Sequence, residues 1–266
     1  MNHQDLLEAA AYIELYIRDK LDICLFLHPD CAQFLEQVEN KIIIPYEKIP
    51  HFPIPKDVKD ANVVLGTIHG KGVLILQSYF QLYKGNVLEE LAFLMHVVKL
   101  LAIKQVLLVD YCEAVHPDYQ VEDFIITSDH INGMTIVPSF PEWESIYGSA
   151  RINLDEPYAN HLQKVAKRIA DKLMIRNHVS VRYGYLGPSY PTNAEANMYR
   201  MLGADVVSMS NLYEAIIANY LHMEVLSLSC VVRKAKDGKD QEAMNQVQRA
   251  CASRFYAWIQ NILLEL

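Results

Sequence analysis

The stretch that decides the fold runs from residue 157 to 229: PYANHLQKVAKRIADKLMIRNHVSVRYGYLGPSYPTNAEANMYRMLGADVVSMSNLYEAIIANYLHMEVLSLS. Tyr158, Leu162, Val165, Ile169 and Leu173 recur at helical spacing, so the segment opens with an amphipathic helix. Residues 179–185 then read as a strand. Thr192, with Glu195 three places on, has the form of a capping box that opens a helix, and Gly203 closes it. Val206 and Val207 make a short strand, residues 212–221 a helix and residues 225–229 another strand. Helices and strands alternating in this order predict an α/β fold with a largely parallel sheet.

Upstream, Asn86 and Glu89 suit a helix start, and Leu91, Leu94, Met95, Val98, Leu101 and Ala102 give that helix its apolar face. A buried strand follows at 106–109. Nearer the start, Gly70-Lys71-Gly72 between apolar runs at 63–68 and 73–76 reads as a tight hairpin, which makes the sheet mixed. Short apolar runs at 23–27 and 42–44 add strands, and the first twenty residues form an amphipathic helix on Leu6, Leu7, Ala10, Ile13 and Ile17. Downstream, the polar segment 234–239 leads into a long final helix with Met244, Val247, Ala250, Cys251, Trp258, Ile259 and Ile262 facing inward. No linker, repeat or low-complexity tract interrupts this pattern. The expectation is a mixed, largely parallel sheet flanked by helices in a single domain over residues 1–266.

Composition limits the function. Of 266 residues, 52% are apolar or aromatic and 21% charged, which excludes a disordered chain or a disulfide mini-protein. A net charge of −8 argues against a nucleic-acid-binding surface but not against one local cationic pocket. No charge-free stretch approaches the roughly 18 residues needed to span a bilayer. The N-terminal residues lack a basic, then apolar, secretory pattern, so no membrane partner and a cytoplasmic location are expected. Cys24, Cys31, Cys112, Cys230 and Cys251 are odd in number and scattered, without a CxxC pair; they read as buried free thiols. The ten histidines form no HxH or HxxxH pair, so no metal is expected.

In α/β sheets, ligands bind beyond the carboxyl ends of strands. Five loops qualify on residue type: His28-Pro29-Asp30, residues 78–85, Asp110-Tyr111-Cys112-Glu113, Gly187-Pro188-Ser189-Tyr190 and Met209-Ser210-Asn211. Each has a plainer reading. Ser210 and Asn211 fit a helix cap, Asp110 a turn, and Tyr79, Phe80 and Tyr83 ordinary packing. No GxGxxG, P-loop, GxSxG or HExxH motif is present.

Taken in order, IPHFP at 49–53, YFQLYKG at 79–85, VEDFIITSDHIN at 121–132, GPSYPT at 187–192 and GADVVSMS at 203–210 resemble the trimeric class of purine nucleoside phosphorylases, which includes methylthioadenosine phosphorylase. The resemblance runs in register from about residue 21 to 235 and implies that family's α/β fold. It implies a homotrimer as well. Family members cleave the N-glycosidic bond of a purine nucleoside by attack of phosphate on the anomeric carbon. Phosphate in a dry pocket needs charge-assisted donors.

Residue by residue, the sequence departs from the family pattern at the donors. The Gly-Ser-Gly loop becomes His28-Pro29-Asp30, and the family's Arg and His become Tyr79 and Gln81. Ser210 alone matches among the phosphate-binding side chains. The Asn-Ala-Ala-Gly loop becomes Asp110-Tyr111-Cys112-Glu113. At the base end, the purine-reading Glu aligns with Pro191 and the Phe before it with Tyr190. The Asn that supports leaving-group protonation becomes Arg233, followed by Lys234. Asp60 and Met244 stand where the family has ribose-side histidines. Tyr83 and Met209 match ribose-site residues, and Tyr147 falls where a neighbouring subunit lends an aromatic.

The resemblance with these departures implies a divergent family member, impaired or inactive as a phosphorylase. A nucleoside or purine pocket is expected around Tyr83, Tyr190, Met209, Ser210 and Tyr147 of a neighbouring subunit. No cofactor is expected, and inorganic phosphate is a co-substrate only if the protein is active. An alternative is an active phosphorylase or nucleosidase with a rebuilt site, in which Asp110 and Arg233 are the candidate catalytic groups. A third reading is a partner-binding subunit whose old cleft is filled by Tyr79, Tyr111 and Tyr190.

Overall fold

The structure, a computed structural model, describes residues 2–56, 61–77, 80, 85, 87–134, 144–149, 151–237 and 241–266; for Pro29, Asp30 and Ser145 it describes the backbone alone. In chain order the elements are α1 (His3–Glu14), β1 (Ile23–Leu27), β2 (Glu39–Pro45), β3 (Asn62–Ile68), β4 (Lys71–Leu76), α2 (Leu88–Leu100) and β5 (Gln105–Ala114). They continue with β6 (Phe124–Asn132), α3 (Glu144–Tyr147), α4 (Asn160–Lys172), β7 (Asn177–Gly184), α5 (Asn193–Met201), β8 (Val206–Ser208), α6 (Leu212–Tyr220), β9 (Glu224–Lys234) and α7 (Gln241–Glu265). The fold is mixed α/β, as the alternating pattern predicts.

The chain gathers into two compact units, each drawn from three chain segments. The first holds residues 1–108, 137–155 and 213–225. Its strands run in the order β2-β3-β4-β1, with β2–β3 and β3–β4 antiparallel and β4–β1 parallel. The hairpin turn lies at His69-Gly70, one residue before the expected place, with Ile68 opposite Lys71. Both turn residues have positive φ, 51° and 78°, the conformation that a two-residue connection between twisted strands demands. The N-terminal helix is shorter than expected: Asn2 caps it by accepting from the Gln4 backbone, and it ends at Glu14. Helix α2 begins at Leu88, where the Glu90 carboxylate accepts from the Val87 N–H at 2.9 Å. The expected cap Asn86 lies outside the described residues.

The second unit holds residues 109–136, 156–212 and 226–266. Its strands follow the order β5-β8-β7-β6-β9, and β9 pairs again with β5, so the ribbon closes on itself. Pairs β8–β7 and β7–β6 are parallel; β5–β8 and β6–β9 are antiparallel. The predicted capping box is present: the Glu195 N–H donates to Thr192 Oγ1 at 3.2 Å, and the Thr192 N–H donates to Glu195 Oε2 at 2.7 Å. Helix α7 packs through Phe255 and Trp258 against Phe124 of β6, with ring centroids 5.2 and 5.6 Å apart.

Two strands run further than their apolar runs predict. Strand β5 continues through Asp110, Tyr111, Cys112 and Glu113, expected as a loop, and β9 continues through Arg233 to Lys234. Buried ion pairs make this possible, and they define the site.

Candidate functional site

Strand alternation sends Asp110 and Glu113, three residues apart on β5, to opposite faces. Glu113 lies opposite Val207 of β8, which in turn lies opposite Tyr183 of β7. On that face Tyr183 stacks on Tyr199 of α5 at 4.1 Å, and Tyr185, Val207 and Ala204 complete an apolar cluster edged by Met209. Gly187, at φ +79°, lies so close to Met209 that a Cβ there would stand 2.4 Å from the Met209 sulfur. The loop leading to Tyr190 therefore depends on glycine at that position.

Glu113 is buried at the end of this face. Its Oε2 accepts from Arg233 Nε at 2.8 Å and Nη2 at 2.5 Å, and its Oε1 accepts from the Tyr185 hydroxyl at 2.9 Å. The Arg233 guanidinium lies over the Tyr190 ring, 4.2 Å from its centroid. The Tyr190 hydroxyl donates to Gln241 Oε1, at the start of α7, at 2.9 Å. Tyr190 remains 40% exposed, so this pair opens to solvent through the ring. Burial pushes the Glu113 carboxyl above its ordinary range, and Arg233 and Tyr185 offset this only in part. Burial, then the neighbouring Glu113, also raises the Tyr185 and Tyr190 phenols.

Asp110 lies on the other face, fully buried, as is its partner Arg182 of β7. Arg182 donates to Asp110 through Nη1 at 2.7 Å and Nη2 at 3.0 Å. Ser229, Ser208 and Ser210 donate their hydroxyls to the same carboxylate at 2.5, 3.0 and 2.7 Å. Arg182 also donates to the Ser210 carbonyl at 3.2 Å and to the Ser229 hydroxyl. A carboxylate offers about four lone-pair positions; five donors occupy these two oxygens. Burial alone would raise the Asp110 carboxyl, but Arg182 and the serine hydroxyls outweigh it and hold it below the usual carboxylate range.

This geometry corrects the reading of Asp110 as a turn residue, because it lies within β5. It is the anion of a sealed ion pair, with no oxygen left for a substrate or a water. The same contacts bear on Ser210, whose hydroxyl is committed to that carboxylate. Arg233 is a buried cation paired with Glu113. Lys234 does reach outward, donating to the Pro117 carbonyl at 3.1 Å.

The other expected residues lie as follows. Tyr190, Met209, Ser210, Asp110 and Arg233 all belong to the second unit. Tyr147 belongs to the first, where its ring packs edge-on against His96 and Tyr220 at 5.5 and 6.0 Å. Tyr83, Tyr79, Gln81 and Asp60 lie outside the described residues. His28 directly follows β1 in the first unit. Tyr111 is buried and packs against Phe255 of α7 at 6.2 Å, and Met244 is buried in α7. The sequence reading missed Arg182, Glu113 as an ion-pair partner, Tyr185 and Gln241. The available signal was charge inside apolar strands, because buried charges are stable only when paired.

The chain matches the phosphorylase superfamily over residues 25–263. It is 32% identical to purine nucleoside phosphorylase 1 of Bacillus subtilis over 234 residues, 88% of this chain and 86% of that protein. Identity to purine nucleoside phosphorylase 1 of Geobacillus stearothermophilus is 31%, over 91% of this chain and 88% of the relative. Among solved structures, isoform 2 of Schistosoma mansoni purine nucleoside phosphorylase, in complex with cytosine and ribose-1-phosphate, superposes with a TM-score of 0.93 at 26% identity, covering 100% of this chain and 97% of that one. A Schistosoma purine nucleoside phosphorylase in complex with hypoxanthine gives 0.92 at the same identity, covering 100% and 98%.

Proposed function

We infer function from one premise: the chain belongs to the phosphorylase superfamily and, within it, to the purine nucleoside phosphorylases. The reading is a purine- or nucleoside-binding protein that has lost efficient phosphorolysis. One observation carries it. Ser210, the single side chain that matches the family's phosphate donors, gives its hydroxyl to Asp110. A doubly negative nucleophile beside Ser210 would face that carboxylate instead of a set of donors.

A magnitude separates impairment from mere adjustment. Hydrogen bonds to charged groups contribute about 1.5–3 kcal/mol each. Three such donors are replaced by sequence, at Pro29, Tyr79 and Gln81. At about 1.4 kcal/mol per tenfold, their loss slows phosphorolysis by about a thousandfold to a millionfold if the effects add.

The base end supports retained binding. Tyr190 keeps an aromatic face, and Arg233 offers donors held in place by Glu113. Arginine only donates. At the position of the family's Asn it can satisfy acceptors of a purine ring, but it cannot accept a proton-bearing ring nitrogen of a departing base. Binding and leaving-group assistance are thereby uncoupled. The Asp110-activated nucleosidase is disfavoured by the sealed ion pair described above. A homotrimer and a cytoplasmic location remain part of this proposal by family resemblance; no helix among the described residues is long and apolar enough to cross a membrane.

The test pairs turnover with binding. Inosine with inorganic phosphate should give hypoxanthine at least a thousandfold more slowly than typical enzyme turnover of about 1–10³ per second. Calorimetric titration should still detect hypoxanthine or inosine, with affinity lost on Tyr190→Ala. Phosphate-dependent turnover at ordinary rates overturns the reading.

A further inference from the structure

We propose that Cys230 and Cys251 are the two halves of a reversible disulfide that ties strand β9 to helix α7. Neither cysteine is in a disulfide and both are buried, and the Cys230 thiol donates to the Cys251 sulfur at 3.1 Å. A disulfide needs about 2.05 Å between sulfurs, so bond formation requires an approach of about one ångström. The backbone positions are held by packing already in place. Cys230 lies opposite Phe124 in the β6–β9 pair, and Phe124 is the ring on which Phe255 and Trp258 of α7 rest. Cys251 sits one helical turn before Phe255 on the same helix, so that aromatic contact keeps the sulfurs facing each other.

The two thiols are not equivalent. The thiol hydrogen bond from Cys230 favours the Cys251 thiolate and lowers its pKa, with burial opposing. Cys24 and Cys112 are the contrast, because burial pushes their thiols up. In the proposed step Cys251 is the attacking sulfur and Cys230 the resolving one. With a peroxide as oxidant, the Cys251 thiolate attacks one peroxide oxygen; an S–O bond forms and the O–O bond breaks, releasing hydroxide. The Cys230 thiolate then attacks that sulfur; the S–S bond forms and the S–O bond breaks, releasing a second hydroxide. The two thiol protons convert both hydroxides to water. The thiols lose two electrons and the peroxide gains them.

The bond would join the strand that carries Arg233 to the helix whose first residue, Gln241, holds the Tyr190 hydroxyl. It is a covalent tie behind the proposed ligand platform, and its existence does not depend on what that platform binds.

The experiment treats the whole chain with hydrogen peroxide and digests it with trypsin without reduction. The peptides 201–233 and 250–254 each contain one cysteine, Cys230 and Cys251. They are expected to appear as one linked species, two hydrogens lighter than their sum, and to separate on dithiothreitol treatment. The oxidised chain should unfold at a higher temperature than the reduced one, and the shift should vanish in Cys251→Ser while persisting in Cys112→Ser. Sulfinic or sulfonic acid at either cysteine without the linked species overturns the proposal. So does a chain whose Cys230 and Cys251 both remain thiols after oxidant that fully oxidises glutathione, a result readable on the unmutated protein.

Discussion

Asp110 and Glu113 are three residues apart on one strand, and each binds one arginine, yet they end in opposite situations. Asp110 receives two guanidinium nitrogens and three serine hydroxyls and has no exposure. Glu113 receives one arginine and one tyrosine, and its arginine leans on a ring open to solvent. The first carboxylate has been saturated; the second has been left at an edge. Desolvating a charge costs several kcal/mol unless hydrogen bonds satisfy the remaining lone pairs. Saturation therefore marks a carboxylate that holds the strand ring together, and partial saturation beside an aromatic face marks the pair to which the proposal gives a ligand.

The largest effect should come from the saturated pair. Arg182→Leu leaves a buried carboxylate with only hydroxyl partners, and breaking such a pair costs about 3–5 kcal/mol. Urea unfolding at neutral pH measures it directly. A loss under about 1 kcal/mol would erase the contrast between the two pairs.

Next in size is Arg233→Met. It removes one partner of Glu113, but the Tyr185 hydroxyl still donates to the carboxylate. The expected loss is about 1–3 kcal/mol, smaller than for Arg182. The variant should lose purine affinity as well, because the same cation faces Tyr190. Equal destabilisation by the two variants would mean that the second pair is structural too.

Much of the architecture was legible in the sequence because it rests on local signals. The apolar stripe from Tyr158 to Leu173, the Thr192–Glu195 box and the glycine-marked hairpin each act within a few residues. The site was legible in composition and not in arrangement. Asp110 and Glu113 read as loop residues because acids rarely sit inside strands, and that prior fails only when arginines arrive from distant strands. Those partners come from β7 and β9, 72 and 120 residues along the chain. Two acids and two arginines embedded in apolar runs were the trace available beforehand. The likeness of Ser210 to a phosphate donor was equally visible, but the acceptor it serves was not. Family pattern locates a residue; only three-dimensional charge pairing says what it is bonded to.

The smallest effect, and the finest discriminator, is the pH dependence of stability. The Asp110 carboxyl is lowered in the folded chain. Its stabilisation is therefore present above the unfolded value of about 3.9 and lost as pH falls through the lower folded value. The Glu113 carboxyl is raised. Its contribution is present below the unfolded value of about 4.3 and lost as pH rises through the higher folded one. The two acids thus tilt the stability curve in opposite senses on either side of about pH 4. Unfolding midpoints in urea from about pH 3 to 8 resolve this when slopes, not levels, are compared. Asp110→Asn should flatten the decline on the acid side, and Glu113→Gln should flatten the decline on the less acid side. Slopes that change in the same sense would show that both carboxylates share one environment, and the division between a sealed pair and a poised one would fall with them.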